Sequence, residues 1–534
     1  LSEAVKLAIE EHWANGFLNH PANGALRDAL AKKQVGPREL YDALLTLVYR
    51  VLFLLVIEER DLSHPAGADP TLKGLYHAYY SISALRGRCR LVRPEEGRYG
   101  DIWQTLVDCF SLYEDARLAG KLALKPLAGD LFSAEVFDLL RGLSLDNRAF
   151  AAGLNLLDSY IDPKRGVPVR VNYAALNVEE FGSIYEGLLD FDASISQSGP
   201  RLAFAFVRGD DRGRTGSHYT PEELVQPLIE HALQPLIADC LKGSDGEARL
   251  LDLKICDDAC GSGHILLNAA RRVALELARL RTKADNPDPA SYRKALREVI
   301  EHCIYGVDAN PQAVRLCKVA LWLESHNPGE SLGFLDHHIK CGDSLVGLTQ
   351  ASELLEPIPE AAFAARDGDD KDWATELRKT HKKELAEAGV KQALLDWRSQ
   401  LGDSLKLVVE TLKTIAAMPD SNPEQSELKK QTYLHVTSGQ AWLKLKALAD
   451  IKLAPFFTPK KPQLPVATEL VYRAFLNGNE DPEGHPVATQ AETTANQRRF
   501  FHWFLEFAEV MQAGGFDCFL GNPPFLGGQR LSGS

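Results

Sequence analysis

Near the end of the chain, the turn Asn522-Pro523-Pro524-Phe525 carries the residue types with the most specific chemistry. Its two prolines fix the backbone and remove two N–H donors. The amide oxygen of Asn522 and the carbonyl oxygen of Pro523 can therefore both accept hydrogen bonds from one amino group. Phe525 offers a flat face for stacking. The turn predicts a site that binds a planar molecule through its amino group.

A second candidate site combines glycines with acids. The stretch Asp257-Asp258-Ala259-Cys260-Gly261-Ser262-Gly263 follows an apolar run, Leu250–Ile255, which predicts a strand. Gly261 and Gly263 permit a tight turn and a close approach of the backbone to a ligand, just before a predicted helix. Many α/β proteins place glycines at this point for packing alone. The pattern by itself leaves cofactor binding and packing both open.

Two further acids follow apolar runs. Asp308, in Tyr305-Gly306-Val307-Asp308-Ala309-Asn310-Pro311, can accept two hydrogen bonds from a ribose diol, or it can simply cap the next helix. Asp343, in Cys341–Leu345, is the second of these two acids, and a plain turn is its alternative interpretation. The spacing from Gly263 to Asp308 exceeds the usual ~20 residues. An extra helix predicted around Lys283–Arg297 accounts for the difference.

Apolar periodicity indicates the elements that position these residues. Short apolar runs such as Cys303–Val307 alternate with helical patterns, as in βαβ units with a parallel sheet, and Phe516–Leu520 predicts a buried strand before Asn522. A stripe from Leu394 to Ile415, a break at Met418–Pro423 and a second helical stretch predict a helical hairpin that packs on the rest of the protein. We divide the chain into a helical N-terminal domain (1–200), a cofactor-binding core (201–350), a helical-hairpin insertion (351–500) and the continued core with its catalytic strand (501–534).

Composition places the chain among ordinary globular proteins. Apolar residues make up 45% and charged residues 25%, and the formal net charge is −13. The nine cysteines form no CxxC pair, so neither a disulfide framework nor a metal site is predicted.

No membrane span and no signal peptide are recognised, which favours the cytoplasm. Arginines cluster at 86–98 and 208–214, where a solvated loop is favoured over DNA contact. Because the chain starts at Leu1, we expect a fragment of a longer protein.

The order of these motifs resembles the gamma class of S-adenosylmethionine-dependent DNA amino-methyltransferases, which make N6-methyladenine. In that order come Gly216–Pro221, the loop Asp257–Gly263, Asp308, Asp343 and Asn522–Phe525. In particular the chain resembles the large methylases of type IIG restriction–modification enzymes and of the BREX and DISARM phage-defence systems. The stretches that carry this likeness are Leu47–Leu62, Ile304–Leu323 and Phe501–Phe525.

The resemblance implies an α/β fold: a Rossmann-like methyltransferase sheet with a large all-α N-terminal domain and a helical insertion. It implies S-adenosylmethionine as cofactor, with Asp308 on the ribose, Asp343 on the adenine amino group, and Tyr219 and Thr220 at the methionine end. Further cofactor residues implied are His218, Asp257, Ala259, Gly261, Gly263 and Ala309. The implied partners are double-stranded DNA and other defence proteins. The target base would flip out of the duplex, be activated by Asn522-Pro523-Pro524-Phe525 and stack on Phe525.

One departure from the family is Asp258, which stands where proline is usual. The chain also stops soon after Phe525, so we expect a piece that binds cofactor but lacks specific DNA binding and turnover. Two alternatives stay open: a protein or RNA amino-methyltransferase, and a non-catalytic component that binds DNA or partner proteins. A nuclease site at Asp420 with Glu427-Leu428-Lys429 is not expected, because that chemistry needs strands and this stretch reads as helix.

Overall fold

A computed structural model describes most of the chain. The described residues are 2–93, 95–127, 129–161, 166–176, 182, 191–199, 201–208, 220–387 and 394–523. Within these ranges helices predominate, and the strands form one four-stranded sheet and two hairpins.

The N-terminal part is built around one long apolar helix, Pro37–Glu59. Pro37 suits a first helical position, and the Glu39 carboxylate accepts the Gly36 N–H at 2.6 Å. By length and hydropathy this helix could cross a membrane, but 94% of its most apolar window is buried inside the protein. The helices here are Ser2–Leu7, Ala8–Ala14 (π), Asn15–Asn19, Gly24–Ala31, Pro37–Glu59, Pro70–Leu75, Tyr76–Tyr80 (π), Ile82–Cys89, Asp101–Glu114, Ala116–Gly120, Asp130–Phe132 (3₁₀), Ala134–Arg141 and Asn147–Asp158.

Two antiparallel hairpins correct the prediction that residues 1–200 are all helical. They pair β1 (Ser159–Ile161) with β2 (Pro168–Arg170), and β3 (Phe191–Ser198) with β4 (Arg201–Arg208). The outer edge of β4 is covered by the first helical segment, whose Asn15 and Asn19 side chains accept backbone N–H groups of β4 at 3.0 and 3.1 Å. This pairing satisfies an edge that would otherwise be open.

The central sheet is parallel throughout. Its strands are β5 (Ile255–Asp257), β6 (Ile304–Asp308), β7 (Ile339–Cys341) and β8 (Cys518–Phe519), in the order β7-β6-β5-β8. The chain runs outward from β5 to β7 and returns on the other side of β5. The topological switch point therefore lies between β5 and β8, where open α/β sheets bind their ligands.

The sheet confirms two of three predicted strands. Strands β6 and β8 fall within or next to their predicted runs, but the residues before β5 form a helix, Gly246–Asp252. The extra helix between Gly263 and Asp308 is confirmed as Pro289–Cys303. The helices of this part are Glu222–Leu228, Ile229–Leu233 (π), Gln234–Cys240, Gly246–Asp252, His264–Thr282, Pro289–Cys303 and Pro311–Ser325.

Between β7 and β8 the chain forms a largely helical layer. The predicted hairpin is more elaborate, because a third helix, Pro423–Thr437, lies between Leu394–Ala417 and Gln440–Leu453. Val408, Leu412 and Ile415 are buried in a core of their own, which supports packing over an exposed coiled coil. The remaining helices are Ala351–Leu355, Glu360–Phe363 and Ala454–Phe456 (all 3₁₀), Lys371–Glu387, Glu469–Leu476, Pro486–Arg498, Trp503–Glu506 and Ala508–Gln512. The domain boundaries stay predictions.

Candidate active site

The glycine loop connects β5 to the helix His264–Thr282. The Cys260 N–H donates to the Val307 carbonyl at 2.9 Å, which ties the loop to β6. Gly263 precedes the helix with φ +84°, and a Cβ there would lie 2.7 Å from Cys317 Sγ. Both the left-handed backbone and the close helix therefore require glycine. At Gly261, with φ +53°, a Cβ would meet no atom within 4 Å, so this part of the loop faces open space.

Asp308 ends β6 directly opposite this loop. Its Oδ2 accepts the Gly261 N–H at 2.9 Å, and its Oδ1 accepts the Asn310 N–H at 2.7 Å. Burial raises the pKa of Asp308 above its ordinary value, and the two N–H groups oppose that rise. The predicted helix cap is instead Asn310, whose side chain accepts the Gln312 N–H at 3.0 Å. Asp308 thus bridges two strand ends and keeps one acceptor position on each oxygen.

Asp257 is almost fully buried at the end of β5. Its Oδ1 accepts the Ala259 N–H at 3.0 Å. Burial, together with the nearby charges of Asp258 and Asp308, raises the pKa of Asp257 to about 8, although the Ala259 N–H opposes the rise. Asp258, the residue that departs from the family pattern, therefore adds negative charge next to a carboxyl group that is protonated at neutral pH.

Asp343 follows β7 at the same edge of the sheet. Its N–H donates to the Arg499 carbonyl at 2.7 Å, and its Oδ1 accepts the Leu345 N–H at 3.1 Å. The bond from Leu345 N–H to the Asp343 side chain is that of a turn, as the alternative interpretation predicts. The Arg499 guanidinium also donates to the Ala309 carbonyl. Arg499, the residue after the last long helix of the layer, thus joins the ends of β6 and β7.

The end of β8 completes the edge. Gly521 lies against the glycine loop: a Cβ there would be 3.1 Å from carboxylate oxygens of both Asp257 and Asp258. Asn522 is exposed, and its Nδ2 donates to Thr220 Oγ1 at 3.3 Å. The next helix begins at Glu222, directly after Pro221, and no side-chain cap bond forms there.

The structure therefore brings most of the predicted residues to one edge of the sheet. Ten of them lie at or next to the carboxyl ends of the four strands: Thr220, Asp257, Ala259, Gly261, Gly263, Asp308, Ala309, Asp343, Asn522 and Pro523. His218, Tyr219, Pro524 and Phe525 lie outside the described residues.

Sequence reasoning missed several residues of this edge. Arg499 carries no sequence signal, because its role depends on where the preceding helices end. Gly521 could have been noticed as a glycine directly before Asn522. Glu222 and His264 form an unpredicted pair, with Oε2 and Nε2 3.0 Å apart. The Asn310-Pro311 sequence is a recognisable helix start.

The arginine cluster at 86–98 divides into a part that forms ion pairs within the fold and a part that is exposed in a turn. Arg86 is buried and pairs with Glu59 and Asp158, each at 2.6 Å. Arg88 pairs with Asp101 at 2.8 Å, and Arg90 also contacts Asp158. These three charges form ion pairs within the fold. Arg93 and Arg98 are exposed, as the solvated-loop interpretation predicts. In the second cluster, Arg212 and Arg214 lie outside the described residues.

The candidate nuclease residues are also structural. Asp420 is buried, and its Oδ2 accepts the Phe334 N–H at 3.0 Å. The same oxygen lies 3.4 Å from Lys429 Nζ, and Arg297 lies 3.3 Å from the other oxygen. Burial and these ion pairs give Asp420 and Lys429 a structural role in the fold.

Comparison with known families bears on this geometry. Residues 178–347 match the sequence model of the N-6 DNA methylases, and residues 302–534 match that of the Eco57I restriction-modification methylases. Together the two matches span residues 178–534, and they support an adenine methylase of the restriction–modification kind. The α/β fold with a parallel sheet, predicted from the sequence, is confirmed.

Individual relatives are more distant. A protein of Methanocaldococcus jannaschii named as a type II restriction enzyme and methyltransferase is 21% identical over 66% of this chain and 30% of its own length. The adenine-specific methyltransferase PglX of Streptomyces coelicolor is 26% identical over 28% of this chain and 12% of its own. The type IIL restriction–modification enzyme MmeI, solved in complex with DNA, has a TM-score of 0.34 and 17% identity, covering 62% of this chain and 36% of MmeI. The chain thus spans about a third of the first relative's length.

Proposed function

We propose that the protein transfers a methyl group from S-adenosylmethionine to the N6 amino group of adenine in DNA, within a restriction–modification or phage-defence system in the cytoplasm. The observation that carries this proposal is the hydrogen bond between Asn522 and Thr220, beside the glycine loop. It joins a predicted catalytic residue to a predicted cofactor residue at the switch point of the sheet. The family matches support adenine as the target, and the names of the relatives support DNA.

The residues present fit this cofactor. Gly261 leaves a cradle that a side chain would occupy, and Asp308 keeps acceptor positions suited to two ribose hydroxyls. In this assignment Ala259 and Gly263 shape the loop, Ala309 and Asp343 lie beside the adenine, and Thr220 binds the methionine end with His218 and Tyr219. The cofactor supplies a methyl group made electrophilic by its sulfonium.

Asn522 activates the amino group of the target base in this proposal. Because Nδ2 of Asn522 donates to Thr220, Oδ1 is left as an acceptor, and the exposed position makes it accessible. The Pro523 carbonyl provides a second acceptor. Adenine's amino lone pair is delocalised into the ring, so two acceptors that bind its hydrogens favour the pyramidal, nucleophilic form. This stabilisation grows toward the transition state. The flipped base would stack on Phe525.

The division of the chain follows the same proposal. We assign residues 201–350 and 501–534 to the catalytic core, 1–200 to an N-terminal domain and 351–500 to an insertion. A separate core of buried side chains between Leu348 and Ala508 supports the insertion. By contrast, the N-terminal helices and the sheet share one continuous core, so the boundary near 200 marks no break in packing.

Two measurements test the proposal. Calorimetric titration with S-adenosylmethionine should give saturable binding that Asp308→Ala abolishes. Because this piece is expected to lack turnover, methyl transfer is measured with the complete natural protein. Transfer of a labelled methyl group to duplex DNA should yield N6-methyladenine and fail in Asn522→Ala. The control Asn479→Ala, which changes an exposed asparagine outside the candidate site, should behave as wild type. Methylation of protein or RNA but not DNA would favour the first alternative. Cofactor or partner binding without any transfer would favour a non-catalytic component.

A further inference from the structure

A cavity of about 500 Å³ lies beside the candidate active site, next to the carboxyl end of β6. Ligand sites usually have volumes of roughly 300–1,000 Å³. None of the predicted cofactor or catalytic residues is among those that line it. The lining residues come from the start of the helix Pro37–Glu59, from β3, from the helix Pro311–Ser325 and from the end of the helical layer: Arg38, Asp42, Asp192, Ala193, Pro311, Gln312, Arg315 and Arg499.

The acids of this cavity are already engaged. Arg38 lies 3.1 Å from an Asp192 oxygen and 3.6 Å from an Asp42 oxygen. Gln312 Nε2 also donates to Asp42 at 3.0 Å. Three arginines against two acids leave a net charge of 3 − 2 = +1 on the lining.

The excess positive charge resides on Arg315 and Arg499. Among the described residues, neither guanidinium has a carboxylate within ion-pair distance. Arg315 is half-buried on the helix Pro311–Ser325, so its charge is partly desolvated. Arg499 bonds the Ala309 carbonyl and keeps further N–H donors. The positive end of the helix dipole adds to the same field.

We propose that this cavity binds a phosphate group through Arg315 and Arg499. Guanidinium groups match phosphate oxygens in shape and charge, and a net charge of +1 suits one phosphodiester. S-adenosylmethionine carries no phosphate, so the cofactor leaves these cations unused. The cavity lies at the same sheet edge as Asn522, where the DNA would dock. The assignment to a DNA backbone phosphate rests on the proposed function, and a free phosphate compound has the same chemistry.

The test compares Arg315→Gln with Arg378→Gln. Arg378 is an exposed arginine paired with Glu360 on a distant helix, so its replacement changes the net charge equally. Binding of a fluorescent duplex is measured by anisotropy from 50 to 300 mM NaCl. We expect Arg315→Gln to weaken binding about five- to tenfold at low salt and to reduce the log–log salt slope by about 0.9, as for one lost phosphate contact. Arg378→Gln should leave the slope unchanged.

The outcomes distinguish a DNA backbone phosphate from a free phosphate compound as the ligand of the cavity. Equal slopes for both variants and wild type, with duplex bound, would overturn the DNA assignment while leaving the proposed function intact. Wild-type protein that binds S-adenosylmethionine but no duplex would count against the proposed DNA substrate. In either case pyrophosphate is titrated by calorimetry: binding lost in Arg315→Gln supports a free phosphate compound, and absent binding overturns the site. Unchanged melting temperatures and cofactor affinity confirm that the variants fold.

Discussion

On the β5–β6 side of the candidate site, the buried Asp257 and the partly buried Asp308 accept backbone N–H groups. On the β8 side, Asn522 is exposed, and its described hydrogen bond is to the Thr220 side chain. On the β5–β6 side, hydrogen bonds to the backbone hold the acids in place relative to the strands. The second side depends on two short polar side chains that can rotate. The first is therefore suited to a cofactor that binds in one pose. The second is suited to an amino group that must enter, react and leave.

Asn522→Ala offers the largest effect and tests whether the two sides act separately. We expect a ~10²- to 10³-fold loss in the rate of methyl transfer, the usual effect of removing one polar group that stabilises a transition state. Cofactor affinity should change by less than about twofold, because the buried side is untouched. Single-turnover rates and calorimetry measure the two quantities. A parallel loss of cofactor affinity would contradict the separation.

A pH series probes the buried side. The pKa of Asp257 is about 8 in the folded protein and 3.8 without burial. Between these values the folded protein holds a proton that the unfolded chain has lost, so the free energy of unfolding falls as pH rises. The fall is at most about 1.4 kcal/mol per pH unit from this group, and it ends above pH 8. Denaturant unfolding at pH 6, 7, 8 and 9 should show this slope in wild type.

The matched variant is Asp257→Asn, which cannot ionise. The difference between the two unfolding curves isolates Asp257 from other titrating groups such as Glu301, whose pKa burial also raises to about 8. If the difference does not vary with pH, Asp257 is ionised in the folded protein and the buried side is wetter than its packing indicates.

Two glycine variants test which positions of the loop require glycine. Gly263→Ala meets both a positive φ and a contact of 2.7 Å with Cys317, and should cost about 2–3 kcal/mol of stability. Gly261→Ala meets only the positive φ and should cost about 1 kcal/mol. Thermal and denaturant unfolding measure both. Cys317→Ala in the Gly263→Ala background should recover part of the loss; no recovery would argue against the contact.

Thr220→Val has the smallest expected effect. It removes one neutral hydrogen bond to Asn522, worth about 1 kcal/mol, or about fivefold in the rate of transfer. Thr220→Ser keeps the hydroxyl and should restore the rate. The readout that separates orientation of Asn522 from cofactor binding is kcat against KM for S-adenosylmethionine. A rise in KM alone would show that Thr220 serves the cofactor and not Asn522.

Parallel strands explain why so much of the site could be predicted. Asp308 and Asn522 each follow an apolar run, and parallel strands end at the same edge, so their proximity follows from topology. The run Leu250–Ile255 was misread because a short apolar stretch fits a buried helix equally well. The alternation of Leu202, Phe204 and Phe206 is typical of a strand, and these residues lie in β4.

Other features depend on partners that local sequence cannot indicate. Arg86 bonds acids 27 and 72 residues away, so its cluster could not be recognised as an internal ion-pair network. The cavity draws on segments that start at Arg38, Asp192, Pro311 and Arg499, and only the folded chain brings them together.

The return of the chain to β8 also has a consequence for protein synthesis. Lys254 and Asp517, which bond across the β5–β8 pair, are 263 residues apart. At ribosomal rates of about 5–20 residues per second, β8 emerges roughly 13–50 s after β5. During that interval one edge of β5 lacks its native neighbour. An unpaired strand edge can pair with a strand of another nascent chain. The glycine loop and Asp308, in contrast, can form before Asn522, the proposed catalytic asparagine, has been translated.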